Sequence, residues 1–254
     1  MDLLSSALLA GFPHGFSTRR GGGSRVPFDS LNLGTAVGDD AAAVETNWRL
    51  LREVTGLQFA RVRQVHGDRV VIARAPVHAV EEGDAVISVA PGVAACVSVA
   101  DCVPILLGDP RSGAVAAVHA GWRGTLARTV ARAVDALARE AGAHPSDLLA
   151  AVGPSIGPCC YEVSPELAAC FRDALGPRVA EGGAAGRHVD LWLANELLLR
   201  QAGVCRERIE VLGRCTACEG DTFFSHRRDQ GRTGRQVGFI APARRPQERA
   251  APLS

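Results

Sequence analysis

Three short segments each place one metal-binding or nucleophilic side chain after an apolar run. They are QVHGD with His66, VADCVP with Cys102 and VHAGWRG with His119. Each run predicts a short buried strand, so each reactive residue is expected where the strand gives way to a loop, a common place for catalytic groups. Two imidazoles and one thiolate form a ligand set that leaves the fourth position of a zinc ion free for water or substrate. The sequence therefore predicts an enzyme.

The same residues allow a second chemistry that needs no metal. Cys102 can be the nucleophile of a thiol hydrolase, with His119 as its base. A hydrolase of this kind should tolerate the loss of His66 better than a zinc enzyme, so His66 distinguishes the two hypotheses.

Copper chemistry is a weaker alternative. A blue-copper centre takes two histidines, a cysteine and usually an axial methionine, and a trinuclear cluster needs many more imidazoles. The chain has seven histidines and one methionine, Met1. We therefore expect zinc, with copper as the less favoured metal.

Helix and strand signals alternate along the chain, which is typical of a mixed α/β fold. Capping residues and apolar spacing predict four helices: one after Asp39 and Asp40 that stops at Gly56, one that opens at Gly124 and Thr125 and ends before Gly142, one capped by Ser164 and one capped by Asp190. Further strand candidates are Val70 to Ala73, Ala85 to Val89, Leu148 to Val152, Ile209 to Leu212 and Val237 to Ile240. We predict a single domain over residues 1–243 and a disordered tail, rich in Arg, Pro and Ala, over residues 244–254.

Several longer motifs resemble those of one bacterial family. They are FSTRRGG, SLNLG, QVHG, ADC, HAGWRG, GPSIGPCCYEV and FFSHRRD, and the resemblance runs from about Gly11 to Ile240. The family was once called multicopper polyphenol oxidoreductases or laccases, and is now called purine nucleoside phosphorylase or peptidoglycan editing factor. The resemblance implies a layered α/β sandwich with mixed β-sheets and a zinc site made of His66, Cys102 and His119.

The resemblance also implies substrates. It points to a zinc-dependent purine nucleoside phosphorylase that acts on adenosine, inosine and S-methyl-5'-thioadenosine, with adenosine deaminase as a possible side activity. The family's link to peptidoglycan editing, and its resemblance to cysteine-dependent toxin deamidases, favour the thiol hydrolase instead. For the deaminase reaction, Asp101 beside Cys102 is the candidate proton carrier, because the HxE motif of other zinc deaminases is missing from the sequence.

Two loops have the composition of anion sites. STRRGGGS, residues 17–24, combines three glycines with Arg19 and Arg20, and HAGWRG leads from a strand into a helix N-terminus with Arg123 beside it. Together they predict phosphate as the co-substrate. Asn32 in SLNLG is a candidate contact to sugar or base by family analogy alone.

FFSHRRD is the remaining candidate substrate contact. Its Phe and Arg side chains can stack on a purine, and His226 can add a hydrogen bond or a proton. In the alternative interpretation, Phe223 and Phe224 belong to the core and the arginines to the surface.

The remaining cysteines are not expected to bind metal. Cys215 and Cys218 form CTAC, half of a zinc-ribbon signature, but no second C-x-x-C or histidine pair follows them. Cys159 and Cys160 are adjacent, so their side chains are not expected to point at one ion.

Composition limits the partners and the compartment. The net charge of +1 gives no electrostatic reason to expect nucleic acid or an acidic surface as a partner. The first residues, MDLLSSALLAGF, lack a basic segment and a long apolar run, so we expect a cytoplasmic protein without a membrane span and with reduced thiols.

Overall fold

The computed structural model describes residues 1–76, 78–183 and 186–243, so the predicted tail, residues 244–254, lies outside the described residues. Within these residues, twelve strands form two six-stranded mixed sheets. The first sheet has the order β1 (Leu3–Leu4), β2 (His14–Ser17), β12 (Gln236–Ile240), β7 (Val93–Val99), β3 (Gln58–Arg63), β5 (His78–Glu82). The second sheet has the order β11 (Ile209–Val211), β10 (Leu149–Val152), β8 (Val103–Gly108), β9 (Val115–Ala120), β6 (Ala85–Ser88), β4 (Val70–Ala73).

In the part of the chain that the structure describes, five α-helices cover the outer faces of the two sheets. They are α1 (Ala41–Thr55), α2 (Trp122–Leu126), α3 (Thr129–Ala141), α4 (Pro165–Leu175) and α5 (Leu191–Gln201). The predicted caps are confirmed for three of them: the side chains of Asp40, Ser164 and Asp190 accept backbone N–H groups in the first turns of α1, α4 and α5. No helix among the described residues is long and apolar enough to cross a bilayer.

The core has three parts, which define the order of the layers. One apolar cluster packs the second sheet against α3, α4 and α5, a second fills the space between the sheets, and a third packs α1 on the first sheet. Strand β9 shows how one sheet serves two clusters, since Ala116 and Val118 face the helices while Val115 and Ala117 face the other sheet. The predicted fold class, a layered α/β sandwich with mixed β-sheets, is confirmed.

The structure corrects two sequence predictions next to the reactive residues. His119 is the fifth residue of β9, paired with Pro104, and so lies within a strand rather than in a loop. The helix expected to open at Gly124 and Thr125 is two helices, because Arg128 adopts a left-handed backbone with φ of 61° that separates α2 from α3.

Candidate metal centre

His66, Cys102 and His119 converge where the two sheets meet. His66 lies three residues after β3 of the first sheet, and His119 is near the end of β9 of the second. Cys102 lies in the short connection by which the chain leaves β7 of the first sheet and enters β8 of the second. We call these three residues the His–Cys–His site.

The donor atoms of this site are close enough to bind one ion. One ligand atom from each of the three residues lies within 4.8 Å of the other two, and the two imidazole rings are 4.9 Å apart between centroids. His119 is buried, Cys102 is half-buried and His66 is exposed. The site therefore has a closed side formed by the sheets and an open side at His66.

A fully buried carboxylate, Asp84, orients both histidines. Its Oδ1 lies 2.8 Å from Nδ1 of His119, which leaves Nε2 of that ring for a ligand. Its two oxygens also accept the backbone N–H groups of Val65, His66 and Gly67 at 3.2, 2.9 and 2.7 Å. These bonds hold the His66 loop, in which His66 itself has a φ of 60°, and they keep the pKa of Asp84 below its usual value although burial acts in the opposite direction.

The electrostatics of the site favour a thiolate. Burial alone would raise the pKa of the Cys102 thiol, but the neighbouring His119 and His66 outweigh it and hold that pKa at about 6. Burial also opposes a charged His119, yet Cys102 and Asp84 together raise the pKa of His119 to about 9. Without a metal, the protein thus favours a thiolate–imidazolium pair, and a thiolate is also the form that binds zinc.

The donor set fits zinc. Sulfur and two imidazole nitrogens are preferred zinc ligands, three protein ligands are typical of a catalytic site, and the carboxylate behind His119 is a common support for a zinc-bound histidine. Gly121 keeps the space clear, because a Cβ there would stand 2.8 Å from the Cys102 Sγ and 3.4 Å from the His66 Cδ2.

A pocket of about 570 Å³ adjoins the site. Two aromatic rings line it, that of Trp122, which follows Gly121, and that of Tyr161. The other lining residues are Glu162, Val163, Ser164, Leu167, Arg187 and Arg227. Each aromatic ring carries an arginine, with the Arg123 guanidinium 4.3 Å from the Trp122 ring centre and that of Arg227 5.3 Å from the Tyr161 ring centre. Burial and the charge of Cys102 raise the pKa of Tyr161 to about 12, which indicates that this ring lies within electrostatic range of the site.

Two of the sequence-predicted residues lie beside the site in different roles. Arg123 is exposed on α2, with its guanidinium over the Trp122 ring, and its phosphate contact stays a prediction. The carboxylate of Asp101 is buried and accepts two short hydrogen bonds, from the Thr216 hydroxyl and from the Arg227 backbone N–H, each 2.6 Å long. This carboxylate joins three segments of the chain, and its part in proton transfer stays a prediction.

The glycine-rich loop does not form the expected cradle of free amides. The N–H groups of Gly21 and Gly22 donate to Ser30 Oγ, and that of Gly23 donates to Asn47 Oδ1. All three guanidinium nitrogens of Arg19 donate to protein oxygens of Asp29 and Gly220. Arg19 lines a separate cavity of about 440 Å³ with Arg20 and Asp221, among others, and its phosphate contact stays a prediction.

Asn32 is buried within the protein. Its Oδ1 accepts from the backbone of Gly34 and Arg235, and its Nδ2 donates to Asp39 Oδ2 at 2.8 Å. The amide therefore holds the SLNLG loop to β12 in this structure, and a contact to sugar or base stays a prediction.

His226 is exposed at a turn, while Phe223 and Phe224 are fully buried. The two phenylalanines thus follow the core alternative and cannot stack on a purine. Arg227 is the member of FFSHRRD that reaches the pocket.

Asp84, Tyr161 and Arg235 are not among the residues that the sequence singles out. Asp84 has a weak signal, an acidic residue directly before the apolar strand AVIS. Arg235 is half-buried, and burial lowers its pKa against the opposing charges of Cys102 and Asp101, so it is a cation within range of the site. Its position in TGRQV gives no local signal of that proximity.

Cys159 and Cys160 were not expected to point at one ion, but the structure brings both of their sulfur atoms together with those of Cys215 and Cys218. The sulfur atoms of Cys159, Cys160, Cys215 and Cys218 all lie within 4.8 Å of one another, and we call this group the four-cysteine cluster. Residues 158–160 form a turn rather than a strand, so adjacent side chains need not point to opposite sides. All eight cysteines of the chain, each within the described residues, are free thiols.

A half-open site of two histidines and a cysteine between two mixed sheets defines a metal-binding α/β sandwich. The chain belongs to the family described as multi-copper polyphenol oxidoreductase laccase, which matches residues 13–243. It is 45% identical over 250 residues to a protein of Deinococcus radiodurans named purine nucleoside phosphorylase, with 96% of this chain and 94% of that protein covered. A mouse protein named purine nucleoside phosphorylase LACC1 is 33% identical, and 95% of this chain covers 58% of it. The crystal structure of YlmD from Geobacillus stearothermophilus superposes with a TM-score of 0.87 at 36% identity, covering 94% of each chain. The suspected family is thereby confirmed.

Proposed function

We propose that this protein is a zinc-dependent purine nucleoside phosphorylase acting on adenosine, inosine and S-methyl-5'-thioadenosine, with adenosine deamination as a side activity. Relatives that match the chain over nearly its whole length are named purine nucleoside phosphorylases. The observation that carries the proposal is the opening of the His–Cys–His site beside a pocket lined by Trp122, Tyr161 and arginine side chains.

His66, Cys102 and His119 are the proposed zinc ligands, with Asp84 positioning the two histidines. A bound zinc ion would supply a Lewis acid at the open side of the site. The rest of the reaction depends on how the pocket binds nucleoside and phosphate.

The aromatic rings of the pocket suit a purine. Trp122 and Tyr161 offer flat apolar faces on which a base can stack, and a cavity of about 570 Å³ falls in the range typical of small-molecule sites. Stacking of these two rings on the base would also keep water away from the reacting sugar carbon.

The arginines suit phosphate. In phosphorolysis a phosphate oxygen forms a bond to the ribose C1′, the C1′–N9 bond breaks, and the purine leaves with the electron pair and takes up a proton. Arg123 and Arg227 are the proposed anion contacts beside the rings, and Arg235 adds positive charge on the Cys102 side. The positive charge of these guanidinium groups would align the attacking phosphate oxygen and offset the negative charge of the phosphate.

Product analysis with and without phosphate tests the proposal. Incubation with inosine should release hypoxanthine and ribose 1-phosphate only when phosphate is present, and removal of zinc by a chelator should stop the reaction until zinc is restored. Arg123→Ala should raise the phosphate KM by about tenfold, in line with the loss of one charged hydrogen bond. Arg200→Ala, which removes an exposed arginine of α5 whose guanidinium lies 4.0 Å from Glu196, is the matched control. Free ribose formed without phosphate would contradict the phosphorylase assignment.

A second candidate, a Cys–His thiol hydrolase or amidase of peptidoglycan editing, is favoured by one observation. Cys102, His119 and Asp84 stand in the order of a nucleophile, its base and the carboxylate that orients the base. In the metal-free protein, the Cys102 thiolate should react with iodoacetamide at half its maximal rate near pH 6.

Metal dependence separates the two candidates. A hydrolase keeps its activity in the zinc-free protein and in His66→Ala, and loses it when Cys102 is alkylated. A zinc phosphorylase loses activity in all three. Copper-dependent phenol oxidation is the third candidate, and the family description is its support; oxidation of a phenol by copper-loaded protein above roughly 1 per second would favour it.

A further inference from the structure

The four-cysteine cluster lies outside the His–Cys–His site and plays no part in the proposed reaction. Its members come from two turns, residues 157–160 and residues 215–218, that are 55 residues apart in the sequence. Cys159 and Cys218 are exposed, Cys160 is half-buried and Cys215 is buried. All four sulfur atoms nonetheless point to one centre.

The spacing of the sulfur atoms matches a tetrahedral metal site. With Zn–S bonds of about 2.3 Å, the edges of a tetrahedron of sulfurs are about 3.8 Å long. The Cys218 Sγ lies 3.5 Å from that of Cys159 and 3.4 Å from that of Cys160, and no pair of the four exceeds 4.8 Å. A disulfide needs sulfurs at about 2.05 Å, so these contacts are those of free thiols around a small space.

The backbone holds the two turns together independently of the sulfurs. Ser155 and Cys215 form a bridge between their segments, with the Thr216 N–H donating to the Ser155 carbonyl at 3.0 Å and the Ser155 N–H to the Arg214 carbonyl at 3.1 Å. The N–H of Gly157 donates to the Cys215 sulfur at 3.3 Å, a contact that stabilises a thiolate. The cluster is therefore preformed by the fold.

We propose that Cys159, Cys160, Cys215 and Cys218 bind a second zinc ion in a closed tetrathiolate site. Four sulfur ligands leave no open position, and closed sites of this kind are structural. The ion would fix the turn that carries Tyr161 to the segment that leads to Arg227, whose guanidinium already donates to the Cys160 carbonyl at 3.2 Å. The second site would thus hold one wall of the pocket beside the His–Cys–His site.

Zinc content per chain tests the proposal on protein purified without chelators. The unmodified protein should carry about two zinc ions, Cys102→Ala about one, Cys218→Ser about one, and the double variant almost none. Cys205→Ser, an exposed cysteine outside both sites, should keep about two. One zinc in the unmodified protein and none in Cys102→Ala would overturn the second site while leaving the proposed catalytic zinc intact.

Cobalt keeps the test independent of how well Cys218→Ser folds. Cys102→Ala leaves the four-cysteine cluster unchanged, so its cobalt-loaded form should show strong thiolate-to-cobalt charge-transfer absorption from a tetrahedral S₄ site. A spectrum without that absorption, iron in place of zinc, or a disulfide from Cys218 to Cys159 or Cys160 in protein alkylated under native conditions would each contradict the proposal.

Discussion

The His–Cys–His site and the four-cysteine cluster differ in what surrounds their donors. The first has three donors, a buried carboxylate behind two of them, and an exposed histidine on its open side. The second has four sulfur donors supported by backbone N–H groups, with no carboxylate among them. An open three-donor site suits an ion that must meet a substrate, whereas a closed four-donor site suits one that holds chain segments together. The same chain therefore contains both kinds of site. They are close in the sequence at one point, because Asp101, which accepts a hydrogen bond from the Thr216 hydroxyl beside Cys215, directly precedes the ligand Cys102.

Removing a donor from the open site should have the largest effect on activity. Cys102→Ala should lower nucleoside turnover by at least about 100-fold, because the charged ligand is lost from the reacting centre. Steady-state kinetics on inosine with phosphate measures this. Cys170→Ser, an exposed cysteine on α4, should retain full turnover. Comparable losses of turnover in Cys102→Ala and Cys170→Ser would show that the effect is not specific to the ligand Cys102.

Asp84→Asn tests the carboxylate that only the open site has. Loss of a carboxylate that supports a ligating histidine typically weakens metal binding by about 10- to 100-fold. Zinc competition with a chromogenic chelator measures the affinity of each site. Asp109→Asn is the matched control, since Asp109 is equally buried and accepts hydrogen bonds from Arg111 and Ser112. Equal loss of zinc in both variants would assign Asp84 a general role in stability.

Gly121→Ala tests the space around the open site. The added methyl group would stand 2.8 Å from the Cys102 Sγ, so the thiolate must shift, and we expect turnover to fall by about tenfold. Gly23→Ala, where a Cβ meets nothing within 4 Å, should leave turnover unchanged. An active Gly121→Ala protein with full zinc content would show that the Cys102 position is not restrictive.

The smallest effect is expected from the closed site. Cys218→Ser should raise the nucleoside KM about threefold with little change in kcat, because the pocket wall loosens while the reacting centre is kept. Its melting temperature should fall by about 4 °C, the shift expected of a change of 1–2 kcal/mol in a chain of this size. A fall in kcat with an unchanged KM would place the cluster's influence at the reacting centre instead.

Local signals predicted much of the fold, whereas contacts between distant segments were out of reach. Asp40, Ser164 and Asp190 cap helices because capping depends on neighbours in the sequence, and the strand Val70–Ala73 follows from its own apolar run. The break at Arg128 comes from a left-handed backbone at a non-glycine residue, which the apolar spacing of the segment does not reveal.

The site divides in the same way. His66, Cys102 and His119 share a local pattern and the family motifs, so the sequence identified all three as a group. The four-cysteine cluster joins two pairs that are each incomplete by spacing rules, and the bridge between Ser155 and Cys215 brings them together. Asn32 and Arg19 illustrate the converse, because both side chains make hydrogen bonds within the protein in this structure, and their substrate contacts stay predictions.

The ligands of the His–Cys–His site come from both sheets, with His66 after β3, His119 in β9 and Cys102 in the link between β7 and β8. An ion bound there would cross-link the two sheets of the sandwich. Zinc binding would then oppose separation of the two sheets at that end of the sandwich. Amide hydrogen exchange along β7 and β8 would slow on zinc addition even with no substrate present. Zinc occupancy of the His–Cys–His site can therefore be measured from the local opening of these two strands.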